Sequence, residues 1–561
     1  MNKQISVSQA LVAFLQRLEV GCIFGMPGAH ILPVYDALND SGIQVVLAKH
    51  EQGAAFMAGG YARAAGSQSG RIGACIATAG PGATNLITGI ANAYAERLPL
   101  LVITGETPTH IFGKGGLQES SGEGGSIDQV ALFKGITRYA KTVERTEYLA
   151  QVFNQAAQVL RSAQPAPVLL SLPFDVQKEA VDADILDQIS TRPRRPRLHF
   201  HPSQLRELHA LLGKAERPVI LAGHGCLAAG AEQQLRQLSQ SQGIPVATSL
   251  KGKGVVAENS PLALGTLGVT SGGLAYEYIS RSADLLLIIG AGFNERTSYV
   301  WDQKLLAGKR IIQIDQNPMQ LEKVFSADLA INADIGELLQ ALLADLGRRA
   351  QPEPRIRRAK QELAQLRQHV DAGYSLFQSG FSLVEQLFSR LAERFPANTR
   401  LFDDNIIFAQ NFFPVSADNR YYPNSGISSL GHAIPAAIGA QFERKQPTFA
   451  VIGDGGFQMC CMELMTAVNY RIPLNVILFN NATMGLIRKN QRQHYGGRFL
   501  SCDFSNPDFE LLARSFGIQH RRVAEAADLD GLFGELDLEQ GINLIEVMID
   551  KNAYPNYSSK R

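Results

Sequence analysis

At 561 residues the chain is longer than one hydrophobic core sustains and predicts about three domains. A composition of 45% hydrophobic and 19% charged residues is that of an ordinary soluble globular protein, and a formal net charge of +1 argues against an electrostatic nucleic-acid partner. The six cysteines show no C-x-x-C spacing and lie in apolar contexts, so buried free thiols are expected rather than disulfides or zinc sites. No apolar run approaches membrane-spanning length, which leaves no membrane partner to expect. Met1-Asn2-Lys3-Gln4 reads as the opening of a polar amphipathic helix rather than a signal peptide, and a cytoplasmic protein is the expectation.

In chain order, short β-rich runs alternate with helical segments. Cys22–Phe24, Ile72–Ala77, Leu100–Thr104 and Val168–Ser171 predict a first parallel α/β sheet, closing at Leu172-Pro173-Phe174-Asp175. The segment from Ser190 to Pro202, with its basic run Arg192 to Arg197, reads as a linker. A second α/β section has strands near Val219–Ala222, Leu285–Ile289 and Ile311–Ile314. A basic, helix-forming connection from Pro352 to about Val370 leads to strands at Leu401–Phe402, Phe449–Ile452, Val476–Phe479 and Leu544–Ile549. The fold class is therefore α/β, three consecutive parallel-sheet domains: residues 1–185, 200–345 and 365–561.

Two strand ends carry chemistry. The run Thr448 to Ile452 ends in Gly453-Asp454-Gly455-Gly456-Phe457, and Leu474 to Phe479 ends in Asn480-Asn481. Asp454 and Asn481 offer hard oxygen ligands of the kind magnesium prefers, a metal that completes its shell with water and phosphate oxygens. Gly455 and Gly456 let the backbone approach a phosphate closely, and a helix starting near Met459 would aim its N-terminus at the same group. In the first section, Lys49-His50-Glu51-Gln52-Gly53-Ala54-Ala55 reads as a helix entered directly from a strand. Taken alone, Glu51 is a helix-start carboxylate favoured by the macrodipole.

The Asp454 and Asn481 pairing resembles the cofactor signature of thiamine diphosphate enzymes. The Glu51 segment is similar to the first-domain motif of their acetolactate synthase branch. So are Gly25-Met26-Pro27-Gly28, Thr78-Ala79-Gly80-Pro81-Gly82-Ala83-Thr84-Asn85 and Gly426 to Gln441, in the same order along nearly the whole chain. The resemblance implies thiamine diphosphate and Mg2+, the metal held by Asp454, Asn481 and the backbone carbonyl of Thr483. It makes Glu51 the carboxylate that hydrogen-bonds the aminopyrimidine and Leu430 the apolar residue on which the cofactor bends. It also places Asn405, Ser428, Gly455, Gly456 and Met484 against the cofactor. A homodimer or homotetramer is implied, because in the family the two halves of the site meet across a subunit interface. The implied activity is decarboxylation of a 2-oxo acid such as pyruvate and transfer of the acyl carbanion to a second carbonyl acceptor. The alternative is a benzaldehyde lyase-like enzyme that cleaves or joins acyloins without obligatory decarboxylation.

Several residues depart from the acetolactate synthase pattern. Gln118 matches a glutamine bordering the reacting carbon in both acetolactate synthases and benzaldehyde lyase, but Ala29 and His30 are similar to the latter. A histidine there suits proton transfer to a product alkoxide, or stands simply as a hydrogen-bonded helix-start residue. Asn490 replaces a tryptophan that shapes the acceptor pocket. Asp403-Asp404-Asn405-Ile406-Ile407 lacks the polar pair that usually helps hold the diphosphate, with Asn405 as substitute. Gly115 to Gly125 is a glycine-rich loop beside Gln118, able to serve as a lid or to admit a larger substrate. Gly290 to Thr297 and Gly265 to Gly268 are similar to flavin-contacting segments, yet Gly292 replaces an arginine expected there and Gly223-His224-Gly225 is too short for a dinucleotide fingerprint. FAD binding is left open.

Overall fold

A computed structural model of the chain describes residues 3–192, 198–347, 353–373, 380–416, 418–555 and 557. Most of the basic run at 192–197 lies outside the described residues. Three six-stranded sheets form, each with every pairing parallel and helices on its faces. In the first, the spatial order is Gln44–Leu47, Cys22–Gly25, Gly73–Ala77, Leu100–Glu106, Val168–Pro173, Tyr139–Thr142. In the third it is Arg420–Pro423, Arg400–Asp403, Thr448–Gly453, Leu474–Asn480, Ile542–Met548, Gln519–Val523. Numbered within each sheet, both follow the order 2-1-3-4-6-5. The central sheet follows 3-2-1-4-5-6, the order of dinucleotide-binding doubly wound domains. In such sheets ligands settle outside the carboxyl ends of the strands where the order reverses. That crevice in the first sheet lies between the ends of Cys22–Gly25 and Gly73–Ala77, and in the third between those of Arg400–Asp403 and Thr448–Gly453.

Two expectations are corrected. The N-terminal segment does not open as a helix: Gln4–Ser6 is a strand, antiparallel to Ala180–Asp182. The helix begins at Val7, where the Ser6 hydroxyl and the Gln9 side chain form a capping box. The helix of the G-D-G-G-F segment starts at Asp454 rather than near Met459, and runs Asp454–Cys460. Four cysteines are buried, Cys460 and Cys461 are half-buried, and all six are free. Among the described residues no helix is long and apolar enough to cross a membrane.

The first and third domains meet through two helices, Glu51–Ala65 and Ala433–Glu443, built largely from small residues. A Cβ on Gly60 would stand 2.0 Å from the Ala436 carbonyl oxygen, and one on Gly439 would stand 1.9 Å from that of Met57. The backbones touch, and one apolar core runs through both domains, joining Met57, Ala58 and Tyr61 to Ala436, Ala437 and Ala440. The central domain joins at a buried ionic knot. Glu96 pairs with Arg63 at 2.9 Å and with Lys251 of the central domain at 3.1 Å, while Arg63 donates to the Pro423 carbonyl of the third domain. Burial pushes the Glu96 carboxyl up, but the two cations outweigh it and hold it at about 2. Gly60→Ala is expected to destabilise the fold by about 1–3 kcal/mol, because the opposing atom is backbone and cannot turn aside. Denaturant unfolding of the variant against the parent protein measures it.

Candidate active site

At the end of Thr448–Gly453, Asp454 is buried and opens its helix. Its Oδ2 accepts the backbone N–H of Asn481 at 3.0 Å and of Ala482 at 2.6 Å, and the Asn506 amide at 2.8 Å. Oδ1 accepts Gly455 N–H at 2.9 Å. One carboxylate thus ties together two neighbouring strand ends. Ala482 adopts a positive φ of 52°, which turns the chain so that Thr483 N–H meets Asn481 Oδ1 at 3.3 Å. The buried Thr483 hydroxyl reaches Asp503 at 2.7 Å. Asp454, Asn481 and Thr483 offer oxygen donors at these two strand ends, the ligand chemistry that Mg2+ takes. The glycines have a further reason to be glycines. A Cβ on Gly455 would lie 2.6 Å from the Met484 sulfur, and one on Gly456 the same distance from Asp404 Oδ2.

Asp404 was not singled out by its sequence context. It is buried, with Oδ2 accepting Gly431 N–H at 2.8 Å and Oδ1 accepting His432 N–H at 2.9 Å. Burial raises the Asp403 carboxyl to about 6 and that of Asp404 to about 7. Asn405, at φ 66°, donates to the carbonyl of Ser428, itself at φ 57°. Leu430 is therefore pinned from both sides, by the Asn405–Ser428 bond before it and by Asp404 on Gly431 after it. Two consecutive acids at the end of a buried strand were the available signal for Asp404.

The second group lies at the switch point of the first sheet. Glu51 is the first residue of its helix, and its Oε2 accepts the Asn85 side-chain amide at 3.0 Å. Its Oε1 lies 3.6 Å from where a Cβ on Gly82 would stand. His30 is buried on the turn Ala29–Ile31, with Nδ1 3.2 Å from Gln118 Oε1 and backbone N–H directed at Thr78. Gln118 takes a positive φ of 56°. The glycine-rich loop is tied to a carboxylate of its own: Glu119 accepts the N–H groups of Gly113, Gly115 and Gly116. Beneath it, Glu106 Oε1 accepts Thr107 N–H at 2.8 Å and Ser120 N–H at 2.9 Å. Glu106 and Glu119 escaped sequence reasoning because their partners are backbone amides.

Among the described residues no hydrogen bond or ion pair joins the Glu51, His30 and Gln118 group to the Asp454, Asn481 and Thr483 group within one chain. Asn490 is half-buried on the helix Gly485–His494 and accepts from Lys489 at 3.4 Å. In the central domain glycine stands at 292, where an arginine is expected. A Cβ on Gly292 would lie 2.7 Å from Gln320 Oε1, and one on Gly223 would lie 2.1 Å from the Gly290 carbonyl oxygen.

With these two carboxylate-led helix starts on two like-ordered sheets, the chain belongs to the thiamine pyrophosphate enzymes. Residues 5–132 match their N-terminal TPP binding domain, 205–342 their central domain and 405–547 their C-terminal TPP binding domain. Its relatives include a probable acetolactate synthase large subunit of Methanococcus aeolicus, 33% identical over 93% of this chain and 88% of that one. The acetolactate synthase isozyme 2 large subunit of Escherichia coli K12 is 31% identical over 98% of this chain and 96% of its own length. A probable 2-ketoarginine decarboxylase of Pseudomonas aeruginosa is 34% identical over 97% and 94%. The chain is thus similar to acetolactate synthase large subunits from end to end, and it is a thiamine diphosphate-dependent enzyme.

Burial raises the Glu106 carboxyl from 4.5 to about 7, so its ionised form is disfavoured in the folded state. Its stability contribution is complete below the unfolded value and is lost as pH rises through the folded one. Glu106→Gln keeps the acceptor oxygen for both amides. The thermal midpoint of the parent protein is therefore expected to fall relative to Glu106→Gln between pH 5 and 8. Paired melting curves at the two pH values read the difference directly.

Proposed function

We propose that the protein is an acetolactate synthase-like carboligase, which releases carbon dioxide from a 2-oxo acid such as pyruvate and transfers the acyl unit to a second carbonyl compound. The observation that carries this reading is the Asp454 carboxylate, held by the amides of Asn481 and Ala482 at the switch point of the third sheet. Asp454, Asn481 and the carbonyl of Thr483 would hold Mg2+, and the metal the diphosphate. The backbone of Gly455 and Gly456, with Met484, Asn405 and Ser428, would line the rest of that half. When bound, thiamine diphosphate supplies the electron sink that decarboxylation and ligation require. Leu430, pinned between Ser428 and Gly431, would set the bend of the cofactor. Glu51 would hold a proton at the aminopyrimidine, its second oxygen steadied by Asn85. Gln118 and His30, side by side at 3.2 Å, would face the reacting carbonyls, with His30 placed to give a proton to a product alkoxide.

Among the described residues no hydrogen bond or ion pair joins the two half-sites within one chain, which supports an assembly of at least two copies, a homodimer or homotetramer, with the halves completing each other across the interface. A benzaldehyde lyase-like activity is not favoured, since the relatives described above are named as synthases of acetolactate or as a decarboxylase of a 2-keto acid.

Glu51→Gln is expected to retain cofactor and Mg2+ yet lose about 10²–10⁴-fold in turnover, because it removes the carboxylate and not the metal set. Steady-state rates with cofactor binding measured in parallel check this, and unchanged turnover would sink the role given to Glu51. A mass-spectrometric screen of 2-oxo acids and aldehydes, with thiamine diphosphate and Mg2+, tests the reaction. Carbon dioxide together with a ligated product supports carboligation, whereas aldehyde released from an acyloin without carbon dioxide overturns it. With glycine at 292 in place of the expected arginine, the purified protein is expected to release no flavin on denaturation, read by its visible absorbance.

A further inference from the structure

Glu51 is delivered by the strand Gln44–Leu47 and the turn Ala48 to His50, and their own domain completes neither. Gln44–Leu47 is an edge strand, paired among the described residues only with Cys22–Gly25. Its free edge meets Tyr470 of the third domain, whose hydroxyl accepts Leu47 N–H at 2.8 Å and donates to the Val45 carbonyl at 3.3 Å. Past Ala48, whose N–H goes to the Gly25 carbonyl, the amides of Lys49 and His50 both donate to Glu463 Oε1 at 3.0 Å. Glu463 is buried and held in turn by the Thr466 hydroxyl at 2.8 Å. A Cβ on Gly53 would stand 2.1 Å from Glu463 Oε1, so only glycine lets the carboxylate reach the turn. Glu463, Thr466 and Tyr470 stand on one face of the stretch Cys461–Tyr470, at helical spacing, just after the helix that Asp454 opens.

We infer that Glu463, seconded by Thr466 and Tyr470, is a positioning site for Glu51. The third domain grips the backbone that carries the carboxylate and so fixes where it stands, without touching substrate or cofactor. Glu463 and Thr466 are buried and Tyr470 is half-buried, and their bonds run along the backbone from Val45 to His50, the stretch that leads to Glu51. The same stretch is continuous with the Asp454 helix. Geometry at the metal half and geometry at the pyrimidine half of one chain are thereby linked through a few covalent residues and the hydrogen bonds that Lys49 and His50 N–H donate to Glu463. The inference rests on the role of Glu51 proposed above.

The test uses Glu463→Ala, Tyr470→Phe and the conservative Glu463→Gln, whose amide oxygen still accepts from Lys49 and His50. Two readouts are taken on each full-length protein: hydrogen exchange of the amides at residues 45–52, and exchange of the C2 proton of bound thiamine diphosphate with Mg2+ present. Glu463→Ala and Tyr470→Phe should speed the amide exchange and slow C2 exchange about tenfold or more, as a displacement near 1 Å does to a reacting group. Cofactor affinity should stay within about threefold, the metal set being untouched. Glu463→Gln should restore both rates. If the amides loosen while C2 exchange keeps the parent rate, the contact is merely structural and the inference is overturned; it is equally overturned if the amides do not loosen. Should Glu463→Ala fail to fold, Tyr470→Phe removes one hydroxyl and still decides the matter. Glu51→Gln serves as control: if it leaves C2 exchange unchanged, the role of Glu51 fails rather than the grip upon it.

Discussion

The contact on which the molecule depends is backbone against backbone, where the helix Glu51–Ala65 crosses the helix Ala433–Glu443. Side chains adapt to one another by changing rotamer, but carbonyl oxygens under glycines do not. The Gly60 and Gly439 contacts therefore fix the separation and the slide of the two helices together. Because Glu51 is the first residue of one helix, and Gly431 and His432 lead into the other, the crossing also sets the geometry of both half-sites. The central domain hangs on this pair through the Arg63, Glu96 and Lys251 knot, whose charges are buried and would be costly to leave unmatched.

Much of the architecture is legible in the chain. Central strands such as Leu285–Ile289 and Thr448–Gly453 are buried on both faces and so read as continuous apolar runs. Edge strands are not legible in that way. Gln44–Leu47, Arg420–Pro423 and Gln519–Val523 mix polar and apolar residues because one side meets solvent or another domain, and their pairing is decided at long range. The short pairing of Gln4–Ser6 with Ala180–Asp182 is hidden for the same reason. The glycines of the G-D-G-G-F segment put the expected helix start near Met459, yet tertiary neighbours draw Asp454 to Cys460 into the helix.

The candidate site divides along a similar line. Residues whose side chains would meet the cofactor, among them Glu51, Leu430, Asp454 and Asn481, stand in recognisable motifs. Residues that act through backbone amides leave no such mark. Asp404 on Gly431 and His432, Glu106 on Ser120 and Glu119 on its three glycines look like ordinary acids until the fold brings the amides to them. The glycine-rich loop illustrates the difference. Its composition suggests freedom, whereas Glu119 gathers its N–H groups as an anion gathers them in a nest.

The two outer sheets share one strand order, and the helices that join them exchange the same contact in both directions: glycine of one beneath carbonyl of the other, and the reverse. Reciprocity of this kind belongs to isologous interfaces, in which residue i meets j and j meets i about a two-fold axis. Here the arrangement is closed within a single polypeptide, so the chain carries an approximate dyad of its own. Each end of that dyad presents one carboxylate at a helix start, Glu51 on one side and Asp454 on the other. Symmetry in the scaffold and asymmetry in the chemistry are thereby kept apart, and the two ends are free to diverge in task while remaining bound to the same geometry.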